Sequence, residues 1–179
     1  MLDISTGRFV INEREGWEFA PFFSRDELMG SKFWRDNQSN RTDLGGTGRT
    51  FLFDHLPISD HRMSMELHIG RSGYIDKVTL RTDLAANIQE WFSKPGWEET
   101  ALKQKRIHDQ FLAHETSMSP DLLSEKDELS ISAEWGGITS VMDLSAEPDV
   151  RIVIRYRNLS EADKEKYLTL GKKYLHGEK

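Results

Sequence analysis

The sequence predicts an α+β fold: an antiparallel sheet of about five to seven strands with two main helices packed on one face. Three observations carry this. Met63, Met65, Leu67 and Ile69 alternate with Ser64, Glu66 and His68, and a return run of Tyr74 to Leu80 follows the turn Gly70-Arg71-Ser72-Gly73. Val150, Ile152, Ile154 and Tyr156 alternate with Arg151, Val153, Arg155 and Arg157. Strands come in runs, and helical spacing is confined to two stretches, Trp97 to Glu115 and Ser160 to Leu175, so a βαβ alternation is absent. The 179 residues are expected to form a single domain, 1–179, with five Trp, nine Phe and four Tyr to fill a core.

Taken in order, Arg8–Asn12 is a short strand with Phe9 and Ile11 on one face. Ser24-Arg25-Asp26-Glu27 is a capping box that opens a short helix through Met29, with Gly30 as its stop. From Ser31 to Gly48 the chain is polar and glycine-rich and reads as a long loop apart from Phe33-Trp34. Arg49 to Leu56 is a strand that Pro57 ends. Asn87 to Phe92 reads as a helical turn before Pro95-Gly96.

The long helix places Trp97, Ala101, Leu102, His108, Phe111 and Leu112 near one face, with Lys103, Lys105, Arg106 and Gln110 largely elsewhere. Glu98 and Glu99 suit the positive end of its dipole. Leu129–Trp135 and Ile138–Met142 form two short strands about Gly136-Gly137, or one bent strand. Ser160 caps a final helix that carries Tyr167, Leu168, Leu170 and Tyr174.

Composition excludes several classes. The net charge of -6 argues against a nucleic-acid binder, and no run approaches the length of a membrane span. Met1–Arg8 lacks both a charged and an apolar signal region, and the chain has no cysteine, so the expected location is the cytoplasm. Thiolate catalysis and cysteine-bound zinc are excluded with it.

No constellation points to an enzyme. Asp43 to Thr50 is glycine-rich, but Arg49 stands where a phosphate loop needs lysine and a strand follows instead of a helix. No Gly-x-Ser-x-Gly elbow occurs. The adjacent acids Asp26/Glu27, Glu98/Glu99 and Asp127/Glu128 read as caps and solvated faces. His108 and His114 lie six apart, ~120° around a helix, and cannot share a metal as an i, i+4 pair does. His55 and His61 flank a turn with Asp54 and Asp60, without the spacing of a specific metal site. The expectation is no cofactor, no metal and no catalytic residue.

Charge is concentrated. Met118 to Asp149 holds eight acids and one base, a net of -7, which leaves the rest of the chain at +1. The segment is either a solvated face or a docking surface for a basic partner. On the second reading the partner-binding residues are Asp121, Glu125, Asp127, Glu128, Trp135 and Asp143. Trp135, beside two glycines, is either a core anchor or a partner-facing ring; Trp34 carries the same ambiguity, with more expected exposure. Arg151, Arg155 and Arg157 share the non-core face of their strand, where they clamp an anion or pair with acids such as Glu134 and Asp143.

The series Gly96-Trp97-Glu98, Lys103, Lys105, His108-Asp109, Phe111-Leu112, Trp135-Gly136-Gly137-Ile138-Thr139-Ser140, Val141, Asp143 and Ile152-Val153-Ile154-Arg155-Tyr156 lies within Gln89–Tyr156. This stretch resembles a group of small bacterial proteins encoded beside polymorphic-toxin and secreted-effector genes, with one more residue between glycine and isoleucine than that group shows. The resemblance implies a non-enzymatic immunity protein that binds and blocks a cognate toxin or effector, and it transfers no active-site residue. Two other readings stay open. One is a small-molecule or anion-binding enzyme or sensor using Arg151, Arg155 and Arg157 with His55 or His61. The other is a homodimer joined through an exposed strand edge, at Phe9–Asn12 or Val150–Tyr156.

Overall fold

Alternating strands with one apolar face must bury that face, and here they do so in one large antiparallel sheet. The computed structural model describes residues 2–46, 48–86, 94–116, 128–145, 148–157 and 165. In chain order the elements are β1 (Leu2–Asp3), β2 (Arg8–Asn12), β3 (Trp17–Phe19), α1 (Arg25–Gly30), α2 (Lys32–Asp36), β4 (Arg41–Gly45), β5 (Arg49–Ile58), β6 (His61–Ile69), β7 (Ile75–Thr82), α3 (Asp83–Ala86), α4 (Trp97–Thr116), β8 (Glu128–Ala133), β9 (Gly136–Asp143) and β10 (Asp149–Tyr156). Seven of these strands pair in the order β4-β5-β6-β7-β10-β9-β8, every pair antiparallel, and β1-β2-β3 form a separate small sheet. The α+β class and the antiparallel sheet agree with the sequence; the small sheet is an addition to it. The expected helix after Ser160 and the turn at Asn87 to Phe92 lie outside the described residues, apart from a helical Glu165.

Register puts the core residues in rows across the sheet. Phe53, Met65, Leu80 and Ile152 stand side by side, as do Phe51, Leu67, Val78, Ile154 and Ile138. All nine are at most 3% exposed, and each such side chain contributes roughly 1.5–3 kcal/mol by leaving water. On the β5 side this face is covered by the small sheet and α2. Phe33 lies 4.7 Å from Phe53, Trp34 4.9 Å from Phe51 and Phe19 5.2 Å from Phe33, ring centre to ring centre. On the β9–β10 side it is covered by α4, through Phe111, Leu112 and Ala101. The opposite face carries Glu66, His68, Lys77, Arg81, Arg151 and Arg155, by the strict alternation of β6, β7 and β10.

Several expectations are corrected. Ser31–Gly48 is not a long loop: Ser31 caps α2 by accepting from the Trp34 amide at 3.1 Å, and β4 follows. Trp34 is 8% exposed, with the Arg41 guanidinium stacked 3.6 Å over its ring. Pro57 does not end β5, which runs on to Ile58. The reason is positional. β4 stops opposite Phe53, so the side of β5 where Pro57 lacks an N–H has no strand to bond. A bulge between Phe53 and Leu56, with His55 at φ 57°, re-aims the strand just before it. The edges expected for a homodimer are interior: β2 lies between β1 and β3, and β10 between β7 and β9. The capping box at Ser24 forms as expected, Ser24 Oγ accepting from the Glu27 amide and Glu27 accepting from the Ser24 amide at 2.8 Å. Among the described residues no helix is long and apolar enough to cross a membrane.

Candidate functional site

Of the acidic residues singled out in the sequence, Glu128 and Asp143 are described, on the last two strands of the large sheet. β8 is its terminal strand, and its outer edge pairs with no strand among the described residues. Burial alternates along it: Glu128, Ser130 and Ser132 face solvent while Leu129, Ile131 and Ala133 turn inward. Glu128 accepts from Ser130 Oγ at 2.8 Å, and that hydroxyl also meets Thr139 Oγ1 at 3.2 Å, which holds the carboxylate upright on the strand. Asp143 is exposed at the end of β9, where bonds from the Ser145 amide and hydroxyl keep its carboxyl below the usual range. Asp121, Glu125 and Asp127 lie outside the described residues.

Trp135 is a core anchor and not a partner-facing ring. It is 1% exposed, its Nε1 donates to the Ile4 carbonyl at 2.7 Å, and its ring packs 5.7 Å from Tyr156. It leans on Gly7, in the β1–β2 turn of the small sheet. Gly136 has a different task. A β-carbon there would overlap the Arg155 carbonyl, so the close approach of β9 to β10 requires glycine.

The arginine row is divided. Arg151 pairs with Asp149, and Asp149 also accepts from Arg81 Nε at 2.9 Å. Arg81 Nη1 reaches Glu66 at 2.6 Å. This forms a cross-strand chain from β6 through β7 to β10 on the face away from the core. Burial raises the Asp149 carboxyl, but the bonds and charges of Arg81 and Arg151 outweigh it and hold the group below its ordinary value. Arg155 and Arg157 stand at the other end of β10, exposed, with no acidic partner among the described residues. The strand end that carries Arg157 is opposite the end that carries His61, because His61 pairs with Ile58 while Arg155 stands beside Lys77 and Lys77 beside His68. Arg155 and Arg157 therefore do not converge with His61. His55 Nδ1 meets Asp83 at 2.9 Å on the surface. His61 and His114 line one cavity of about 380 Å³ between the β5–β6 turn and α4, with Asp60 at its edge. Among the described residues no three His, Asp or Glu come together as metal ligands.

Beneath α4 lies a polar cluster that the spacing of the helix did not reveal. Lys105 and Asp109 are 4% and 5% exposed and bonded at 2.6 Å one turn apart. Leu102, expected in the core, is 43% exposed instead. His108 is fully buried; its Nε2 accepts from the Thr82 amide at 3.3 Å, so Nδ1 carries the proton, and it has no acceptor among the described residues. Burial, with Lys105, His61 and Arg81 acting the same way, pushes His108 down to about 3. Thr82 Oγ1 donates to Gln104 at 2.5 Å and accepts from the Ala85 amide at 3.2 Å. Through Gln104 and His108 the cluster ties α4 to the β7–α3 junction. Its one sequence signal was Lys105 standing four residues before Asp109.

Compared with protein-family models, with curated proteins and with solved structures, the chain finds no match.

Proposed function

We propose that this protein is a non-enzymatic binding protein that recognises and neutralises a protein partner, a cognate bacterial toxin with a basic surface, in the cytoplasm. The observation that carries the reading is the terminal strand β8. Its outer main-chain edge pairs with no strand among the described residues, it presents Glu128 to solvent, and it continues the densest run of acids in the chain. A strand edge offers main-chain bonds to an incoming segment, and the surrounding carboxylates favour a basic one. The resemblance of Gln89–Tyr156 to proteins encoded beside toxin genes points the same way. The acidic surface then comprises Asp121, Glu125, Asp127, Glu128 and Asp143, while Trp135 acts from the core by setting where β9 begins.

The test is co-expression with the C-terminal domain of the toxin-like product encoded by the neighbouring gene. Growth is restored by this protein if the reading holds, and is not restored if it fails. With a partner in hand, Glu128→Lys with Asp143→Lys slows association about tenfold at low salt, flattens the dependence of the rate on ionic strength and leaves dissociation nearly unchanged. Identical association rates for the two forms would remove the acidic surface from the proposal.

A further inference from the structure

A second feature lies at the far end of the sheet from the acidic edge. Where the Gly70–Gly73 turn meets Phe22 and the C-terminal end of β10, the fold leaves a cavity of about 250 Å³. Phe22, Tyr74 and Tyr156 give it aromatic walls, and Arg71 and Arg157 stand at its rim. We infer that this cavity binds a small molecule carrying an oxyanion, a carboxylate or a phosphate, on a flat apolar body. The inference is independent of the partner proposed for β8.

The charges argue for an anion. Arg71 and Arg157 are exposed and have no acidic partner among the described residues. The turn closes with the Gly73 amide on the Gly70 carbonyl at 3.0 Å, which leaves the intervening amides of Arg71 and Ser72 without acceptors among the described residues. Adjacent free amides in a turn form an anion-binding concavity, and guanidinium forks match carboxylate and phosphate oxygens. Asp76, the one acid of the lining, is engaged by His68 Nδ1 at 2.5 Å. On the neighbouring face Lys77 and Arg155 stand side by side in register and add positive potential. In a chain with net charge -6, four cations without an acidic partner among the described residues thus stand at this sheet end.

The walls argue for a flat apolar body, and the frame is preorganised. Phe22 and Tyr74 meet edge to face, ring centres 6.2 Å apart. Phe22 holds φ 67°, a left-handed conformation that a bulky residue keeps only where its surroundings impose it. Two bonds fix the segment after it to the turn, the Arg25 amide to the Gly73 carbonyl at 2.8 Å and the Ile75 amide to the Phe23 carbonyl at 2.9 Å, and together they make the Ser24–Tyr74 bridge. The main chain of Arg157 is held by its amide on the Trp135 carbonyl at 2.8 Å. A site whose donors hang from fixed main chain loses little on closing around a ligand. The Tyr156 hydroxyl is hidden from solvent and has no partner among the described residues.

The test titrates the full chain with phenyl phosphate and with benzoate, beside inorganic phosphate and benzylamine as probes of each half of the ligand, read by backbone amide NMR. The expected result is saturable binding of at least one aromatic oxyanion, with shifts confined to Phe22–Phe23, Gly70–Asp76 and Arg157. Arg71→Glu with Arg157→Glu weakens it at least about tenfold, the loss expected for removing charge-assisted bonds, whereas Arg14→Glu on the surface does not. Ser72→Trp, which obstructs the mouth and leaves the arginines in place, also weakens it. No saturable shift with either aromatic oxyanion at millimolar concentration overturns the inference. So does benzylamine or bare phosphate binding as tightly as phenyl phosphate, or the double arginine variant binding like the parent.

Discussion

The indole of Trp135 rests on the main chain of Gly7. A β-carbon on Gly7 would lie 2.8 Å from the indole Cγ and overlap Cδ2, and Gly7 holds φ 71°. Together with the bond from Trp135 Nε1 to the Ile4 carbonyl, this contact fastens the β1–β2 turn of the small sheet to the start of β9 in the large one. Gly7→Ala therefore meets two costs, a left-handed alanine at about 1–2 kcal/mol and an overpacked ring at about 1–3 kcal/mol. The expected loss is about 2–5 kcal/mol in urea unfolding, read as a lower midpoint at unchanged slope. Midpoints within error of the parent would show that the ring has room to move.

Lys105 and Asp109 form a closed ion pair under α4. Removing one partner strands the other charge in the interior. Asp109→Ala is expected to cost about 3–5 kcal/mol, and Lys105→Met with Asp109→Leu to regain most of it. Thermal melts of both variants decide this. If the double variant is as unstable as the single one, the pair has a role beyond mutual neutralisation.

His108 makes stability depend on pH. Its folded value of about 3 lies below the ordinary 6.5, so the unfolded chain takes up the proton first. The contribution is complete above pH 6.5 and is lost as pH falls from there toward 3, at up to ~1.4 kcal/mol per pH unit. Asp149, also held low, loses its contribution only below its ordinary 3.8. The interval from 6.5 down to about pH 4.5 is thus governed by the histidine rather than by that carboxylate. His108→Gln keeps an acceptor for the Thr82 amide without titrating. Its unfolding free energy is expected to be flatter in that interval than the parent's, and equal slopes would exclude His108 as the source.

Much of the fold is legible in spacing along the chain. The alternation of Met63–Ile69 and Val150–Tyr156, the reciprocal cap at Ser24 and the helix from Trp97 are of this kind, because each depends on spacing along the chain. β4 is not legible because Arg41 to Gly45 carry no alternation; it is exposed from Thr42 to Gly45, and it exists by pairing with β5. The burial of Lys105 was missed because a charged side chain reads as solvated until its partner and the sheet beneath the helix are placed. In the candidate surfaces, the acidity of Glu128 and Asp143 was evident from composition. The grouping of Arg71 with Arg157 was not, since 86 positions separate them.

The sequence by itself determined the class of fold, the periodicity of its strands and the segment in which negative charge accumulates, all properties carried by neighbouring residues. Tertiary structure decided which strands became edges, which arginines were neutralised and which were left free, and whether Trp135 faced a partner or the core. Those outcomes depend on which distant segments come to lie side by side. Strand order brought Asp149 to Arg81 and Arg151 while leaving Arg157 at the open end, and no pattern along the chain encodes that choice.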